Sequence, residues 1–117
     1  MTTFELETRE RPESHLRLVE VSGEVDFTNT HDLEARLDEI PEDVTLVLDL
    51  NRVLFADSAA IHTLFRIARA RGRDRFGLVL EPTAAITRTL EITGLPRVVA
   101  VRTSADEVLA AVTAASR

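Results

Sequence analysis

Ser58 is the side chain of this sequence best placed to do chemistry. It directly follows Asp57, where a connection over residues 51–56 gives way to Ile61, Leu64, Phe65 and Ala68 at the i, i+3, i+4, i+7 spacing of a helix. A hydroxyl at a helix start has two uses. It can cap free N–H groups, worth about 1 kcal/mol. It can also carry a phosphoryl group of roughly −1.5 to −2 charges, which the helix N-terminus stabilises and which here would sit beside Asp57. His62 follows one helical turn later, so the two could form a nucleophile and base. No carboxylate is evident to orient the imidazole, however, and His62 shares a stripe with Arg66, Arg69 and Arg73, which reads as an exposed histidine.

The remaining composition excludes most catalytic classes. The chain has no cysteine, and His15, His31 and His62 lack paired ligand spacing, so no metal site is expected. All 14 basic residues are arginine, which rules out a lysine Schiff base and a phosphate-loop lysine. The same absence argues against an aspartyl-phosphate receiver built on Asp49 or Asp57, because that chemistry requires a lysine near the phosphate. Four glycines supply no dinucleotide fingerprint. No catalytic residue and no cofactor are therefore expected.

A formal charge of −6 argues against a nucleic-acid partner. The basic run of Arg66, Arg69, Arg71, Arg73 and Arg75 reads as a solvated helix face and its exit loop. Five Phe with no Trp or Tyr leave little for base stacking, so a protein partner would be held by aliphatic and polar contacts. No apolar stretch reaches the roughly 18 residues of a membrane span, and residues 1–11 alternate charges where a secretory signal would be apolar. A cytoplasmic location without a membrane partner follows as the expectation.

The elements that must position Ser58 can be read from periodicity. Residues 4–8 alternate apolar and polar, and Pro12 to Ser14 supply turn residues before a second strand over 16–21 that ends at residues 23–26. Leu33, Leu37 and Ile40 mark a helix, with Thr28 or Asn29 as N-cap, Asp32 and Glu34 near its positive end, and Pro41 as its stop. Residues 44–50 form the central strand, with Val47 facing away from Val44, Leu46, Leu48 and Leu50. A short strand covers 76–80, Pro82 opens a helix with Ile86 and Leu90 inside, and Gly94 caps it. Residues 98–101 form the last strand, a Ser104–Glu107 capping box starts the last helix, and the Ser116-Arg117 end frays. The order β-β-α-β-α-β-α-β-α implies one α/β domain over residues 1–117. Its sheet is mixed and mostly parallel, with an antiparallel N-terminal edge strand and helices packed on it.

Several of these segments together resemble the sulfate transporter and anti-sigma factor antagonist (STAS) domain. They are Gly23-Glu24-Val25-Asp26, the strand over 46–50, residues 53–58, Ile86 through Arg88-Thr89-Leu90, and Thr93-Gly94-Leu95. In length the chain is most similar to single-domain bacterial anti-sigma factor antagonists, whose phosphorylated helix start reads Asp-Ser-Ser-Gly. Asp57-Ser58 matches that pattern, so the resemblance implies Ser58 as phosphoacceptor. It further implies partner switching in transcription regulation. The unphosphorylated antagonist binds an anti-sigma factor and frees a sigma factor; the anti-sigma factor, commonly a serine kinase, phosphorylates and ejects it; a phosphatase resets Ser58. Asp26, Asp57, Ser58, Ala59, Ala60 and His62 would form the partner-binding surface.

The match departs at Ala59 and Ala60, where the family has Ser and Gly. Alanine favours the helix by up to about 1 kcal/mol over glycine, but a methyl at residue 60 would hinder a partner that needs close backbone approach. Two other readings stand beside the antagonist. One is a STAS adaptor of a transporter or signalling scaffold, without phosphorylation; the other is a hydrolase built on Ser58 and His62.

Overall fold

The structure, a computed structural model, describes residues 2–115, so the expected fraying of Ser116-Arg117 lies outside the described residues. Five strands form one sheet in chain order: β1 (Phe4–Arg11), β2 (Leu16–Val25), β3 (Thr45–Ala56), β4 (Phe76–Val79) and β5 (Ala100–Arg102). β1 is antiparallel to β2 and every other pairing is parallel. The helices are α1 (Thr30–Asp38), α2 (Ser58–Arg71), α3 (Thr87–Thr93) and α4 (Ala105–Ala115).

Neighbouring parallel strands joined through helices take one crossover hand, which puts α1, α2 and α3 on a single face. The main core forms there, from Val19, Val21, Leu46, Leu48 and Phe76 of the sheet with Leu33, Leu37, Leu64, Ile67 and Leu90 of the helices. Opposite, α4 covers Leu16, Val47 and Val79 with Val108 and Val112. Val47 therefore faces away from Leu46 and Leu48, as its place in the strand predicts.

Three boundaries differ from the periodicity. Residues 51–56 are no connection: β3 runs unbroken to Ala56, because the chain stays paired with β2 through two register shifts, with Ser22 opposite Arg52 and Glu24 opposite Phe55. Pro82 does not open α3, which starts five residues later at Thr87. The Asn51 side chain takes the Glu81 N–H at 2.6 Å and the Thr87 hydroxyl caps the Glu81 carbonyl at 2.6 Å, which holds the intervening segment in turns. Finally, β5 begins at Ala100, not residue 98. The N–H groups of Val98 and Val99 are already bonded to the Leu95 carbonyl, in and after the 3-10 turn Leu95–Arg97.

The arginine run is not simply solvated either. Arg66 is bidentate on Glu34 of α1 at 2.9 and 3.1 Å, Arg71 donates to the Ile40 and Pro41 carbonyls, and Arg75 donates to the Glu42 carbonyl. A guanidinium presents five donors on a long stem, enough to reach the carbonyls of the loop that follows α1. Glu34 correspondingly serves Arg66 and not the start of its own helix. Beneath this pair, the buried hydroxyls of Thr30 and Thr63 bond at 2.8 Å across the α1–α2 interface.

Candidate functional site

Ser58 is the first residue of α2 and is exposed; among the described residues its hydroxyl makes no hydrogen bond. It does not cap the helix. Asp57 is the N-cap, extended at φ −86°, ψ −176°, and its Oδ1 accepts the Ala60 N–H at 2.9 Å. A carboxylate one position earlier reaches the third helical N–H, so the serine is left unoccupied. The other oxygen, Oδ2, accepts the Phe27 N–H at 2.9 Å, and the Asp57 N–H donates to the Val25 carbonyl at 3.3 Å. One side chain thus ties the loop after β2 to the start of α2.

That loop is itself closed by side chains. Asp26 Oδ1 accepts the Thr28 N–H at 2.9 Å and the Thr28 hydroxyl. The hydroxyl bond is the main reason the Asp26 carboxyl is held below the usual carboxylate range; desolvation opposes it, and the Thr28 N–H, the Thr2 side chain and the Asn29 N–H add to it. Asn29 precedes α1 but makes no side-chain cap to it. Its Oδ1 accepts the Asp26 N–H at 2.9 Å while its Nδ2 donates to the Glu24 and Thr2 carbonyls, so the amide closes the turn instead. Gly23, at φ +100°, admits the N-terminal segment: an added Cβ would stand 2.5 Å from the Thr3 carbonyl oxygen.

The structure brings Asp26, Asp57, Ser58 and Ala59 to one end of the sheet, and His62 lies exposed one turn along α2. Ala60 faces differently. The residue is only 4% exposed and packs in the core. Its N–H is what it contributes, through Asp57. Among the described residues no hydrogen bond orients His62, and both Asp57 oxygens are committed to backbone N–H groups.

Sequence reasoning missed the apolar part of this surface. Phe27, Leu54 and Phe55 are 71%, 68% and 50% exposed beside the acidic loop. In a regular strand Leu54 and Phe55 would point to opposite faces. The register shift between Gly23 and Glu24 gives β3 an extra residue there, and a bulge turns two consecutive side chains outward. The signal lay in Val53-Leu54-Phe55-Ala56, an apolar run too long for the alternation of a half-buried strand.

Fold and site define a class: a small α/β domain that carries its polar and apolar surface groups on adjoining strand-to-helix junctions. The STAS domain model matches residues 4–108, and the chain belongs to the STAS domain family. Among solved structures it is similar to an anti-sigma factor antagonist from Mycobacterium paratuberculosis, at 26% identity and TM-score 0.78 over 95% of each chain. It also shares the fold of the anti-sigma factor antagonist SpoIIAA in its unphosphorylated form, at 18% identity and TM-score 0.60 over 90% of this chain and 92% of that one. The phosphorylated form of the Bacillus cell fate determinant SpoIIAA matches at 17% identity and TM-score 0.57, over 90% and 95% of the two chains. No curated protein matches the sequence. Among the described residues no helix is long and apolar enough to cross a membrane.

Proposed function

We propose that this chain is an anti-sigma factor antagonist: a non-enzymatic, cytoplasmic, single-domain bacterial regulator that binds an anti-sigma factor and is released by phosphorylation of Ser58. The observation that carries the reading is Ser58 itself, exposed and unbonded at the head of α2 between two loop carboxylates and three exposed apolar side chains. The similarity to the Mycobacterium paratuberculosis antagonist supports the partner class, and the existence of SpoIIAA in unphosphorylated and phosphorylated forms supports a phosphoswitch on this fold.

In this reading Phe27, Leu54 and Phe55 provide the apolar contact, while Asp26, Asp57, Ala59 and His62 frame it. A serine-kinase anti-sigma factor transfers phosphate to the Ser58 Oγ and a phosphatase removes it. The added charge sits next to Asp57 on a chain already at −6, and it raises the desolvation cost of docking on that surface.

Incubation with ATP and candidate kinase-type anti-sigma factors, followed by phosphosite mass spectrometry, tests the scheme. Phosphate on Ser58 with loss of the complex is expected. Ser58→Asp should weaken binding about tenfold or more, since like charges at an interface cost several kcal/mol, while Ser58→Ala should bind and resist the kinase. Equal affinity of the two variants would remove the electrostatic switch. Stable binding without modification would identify an adaptor, with Ala59 in place of the family serine marking the altered kinase site.

A further inference from the structure

The other end of α2 carries a second surface of opposite charge. A groove of about 670 Å³ lies between the last turns of α2 and the segment after α3, with Phe65, Ala68 and Val98 as its apolar floor and Arg69, Arg73 and Arg97 on its rim. Val98 is 44% exposed there. Among the described residues Arg9, Arg11, Arg17 and Arg66 each pair with a carboxylate, whereas none of the three rim arginines does. Arg73 donates instead to the Arg97 carbonyl at 3.0 Å, which holds the two rims together. Arg69 lies eleven residues beyond Ser58, roughly 16 Å along the helix axis, so the groove is separate from the acidic surface.

Three unneutralised guanidinium groups around an apolar floor, on a chain of charge −6, form a local field that an anionic ligand would relieve. Planar guanidinium forks match carboxylates, and an apolar floor favours a ligand that also brings a hydrophobic side chain. A simple inorganic anion would leave that floor uncovered, and three cations are too few for nucleic-acid binding against the net negative charge. We propose that this groove binds an acidic peptide segment, an apolar side chain flanked by carboxylates, from a protein partner distinct from the one that docks at Ser58.

The test titrates the full-length, 15N-labelled chain with a capped hexapeptide, Leu-Phe flanked on each side by two Glu, at moderate salt. Saturable amide shifts centred on Ala68, Gly72 and Val98 are expected in the sub-millimolar range. The paired substitution Arg69→Glu and Arg97→Glu should weaken binding at least tenfold, as should replacing the peptide's Glu by Gln, while Ser58→Asp leaves it unchanged. Both substituted side chains are exposed, and the carbonyl that accepts from Arg73 survives; Arg69→Gln alone, expected to weaken binding severalfold, serves should the pair disturb folding. The proposal is overturned if shifts are absent from the groove or spread over all arginines, if the Gln peptide binds equally, or if inorganic phosphate reproduces the shifts. It is equally overturned if the groove shifts track protein concentration without peptide, which would make the occupant a second copy of the chain.

Discussion

The two ends of α2 are built by opposite means. At the start, carboxylate and amide side chains accept backbone N–H groups: Asp57 takes those of Phe27 and Ala60, and Asn29 takes that of Asp26. At the finish, guanidinium groups donate to backbone carbonyls of other segments: Arg71 to Ile40 and Pro41, Arg73 to Arg97, Arg75 to Glu42. Both arrangements follow the helix dipole, acid at its positive end and base at its negative end. The difference is in what remains over. At the first end the leftover groups are an idle hydroxyl and exposed apolar side chains; at the second they are arginines without carboxylates. The same helix therefore holds two surfaces suited to partners of different charge.

Glycines at the two ends give the largest contrast. Gly23→Ala adds a methyl 2.5 Å from the Thr3 carbonyl oxygen at a positive φ, so strain and collision act together. A loss of about 3 kcal/mol is expected in denaturant unfolding. Gly72 also has a positive φ, but an added Cβ would meet only the Asp74 carboxylate, at 3.3 Å on a side chain able to move. Its alanine variant should lose roughly 1–2 kcal/mol from backbone strain alone. Equal losses would mean that the N-terminal segment yields and does not fix the loop after β2.

Asp57 comes next, because it couples stability to the proposed docking surface. Asp57→Ala removes the cap and the tie to Phe27, an expected loss of about 1–2 kcal/mol by thermal or chemical unfolding. Phe27→Ala, at a side chain 71% exposed, should leave stability within about 0.5 kcal/mol of wild type. Anti-sigma factor binding, measured by calorimetry, should nevertheless fall by about 1–2 kcal/mol for Phe27→Ala. If that variant bound normally, the aromatic ring would lie outside the interface and the surface would shrink to Leu54, Phe55 and the acidic loop.

What was legible in the sequence is what repeats. Period-two alternation in residues 4–8 and helical spacing from Ile61 to Ala68 located the elements, and half of the Ser104–Glu107 capping box is present: the Ser104 hydroxyl accepts the Glu107 N–H at 3.2 Å, while the Glu107 carboxylate accepts the Thr103 and Ser104 hydroxyls. Single events without a period were not legible. The bulge that turns Leu54 and Phe55 outward depends on how β3 aligns with β2, a pairing between segments some 30 residues apart. The cap at Asp57 competes with one at Ser58, and both residue types suit the position; geometry alone decides it. Arg71, Arg73 and Arg75 looked like part of a solvated face because their acceptors are carbonyls, which every residue has and no sequence pattern marks.

Arg66 separates arginines that hold the fold from arginines left open, and pH distinguishes them. Its bidentate bonds are the leading reason the Glu34 carboxyl lies below the usual carboxylate range, and Glu34 in turn raises the Arg66 guanidinium. A carboxyl with a depressed folded-state value contributes stability above its unfolded value, near pH 4, and loses it as pH falls through the lower folded value. The Tm difference between wild type and Arg66→Gln should therefore stay constant from pH 8 to about pH 5 and shrink toward pH 3. Arg66 is exposed and Glu34 only half-buried, so the difference should be no more than about 2 °C and should fade in high salt. Arg69→Gln, with no carboxylate partner among the described residues, should show no such acid-dependent difference. If it did, Arg69 would already be neutralised within the chain, and the contrast between the two ends of α2 would lose its charged half.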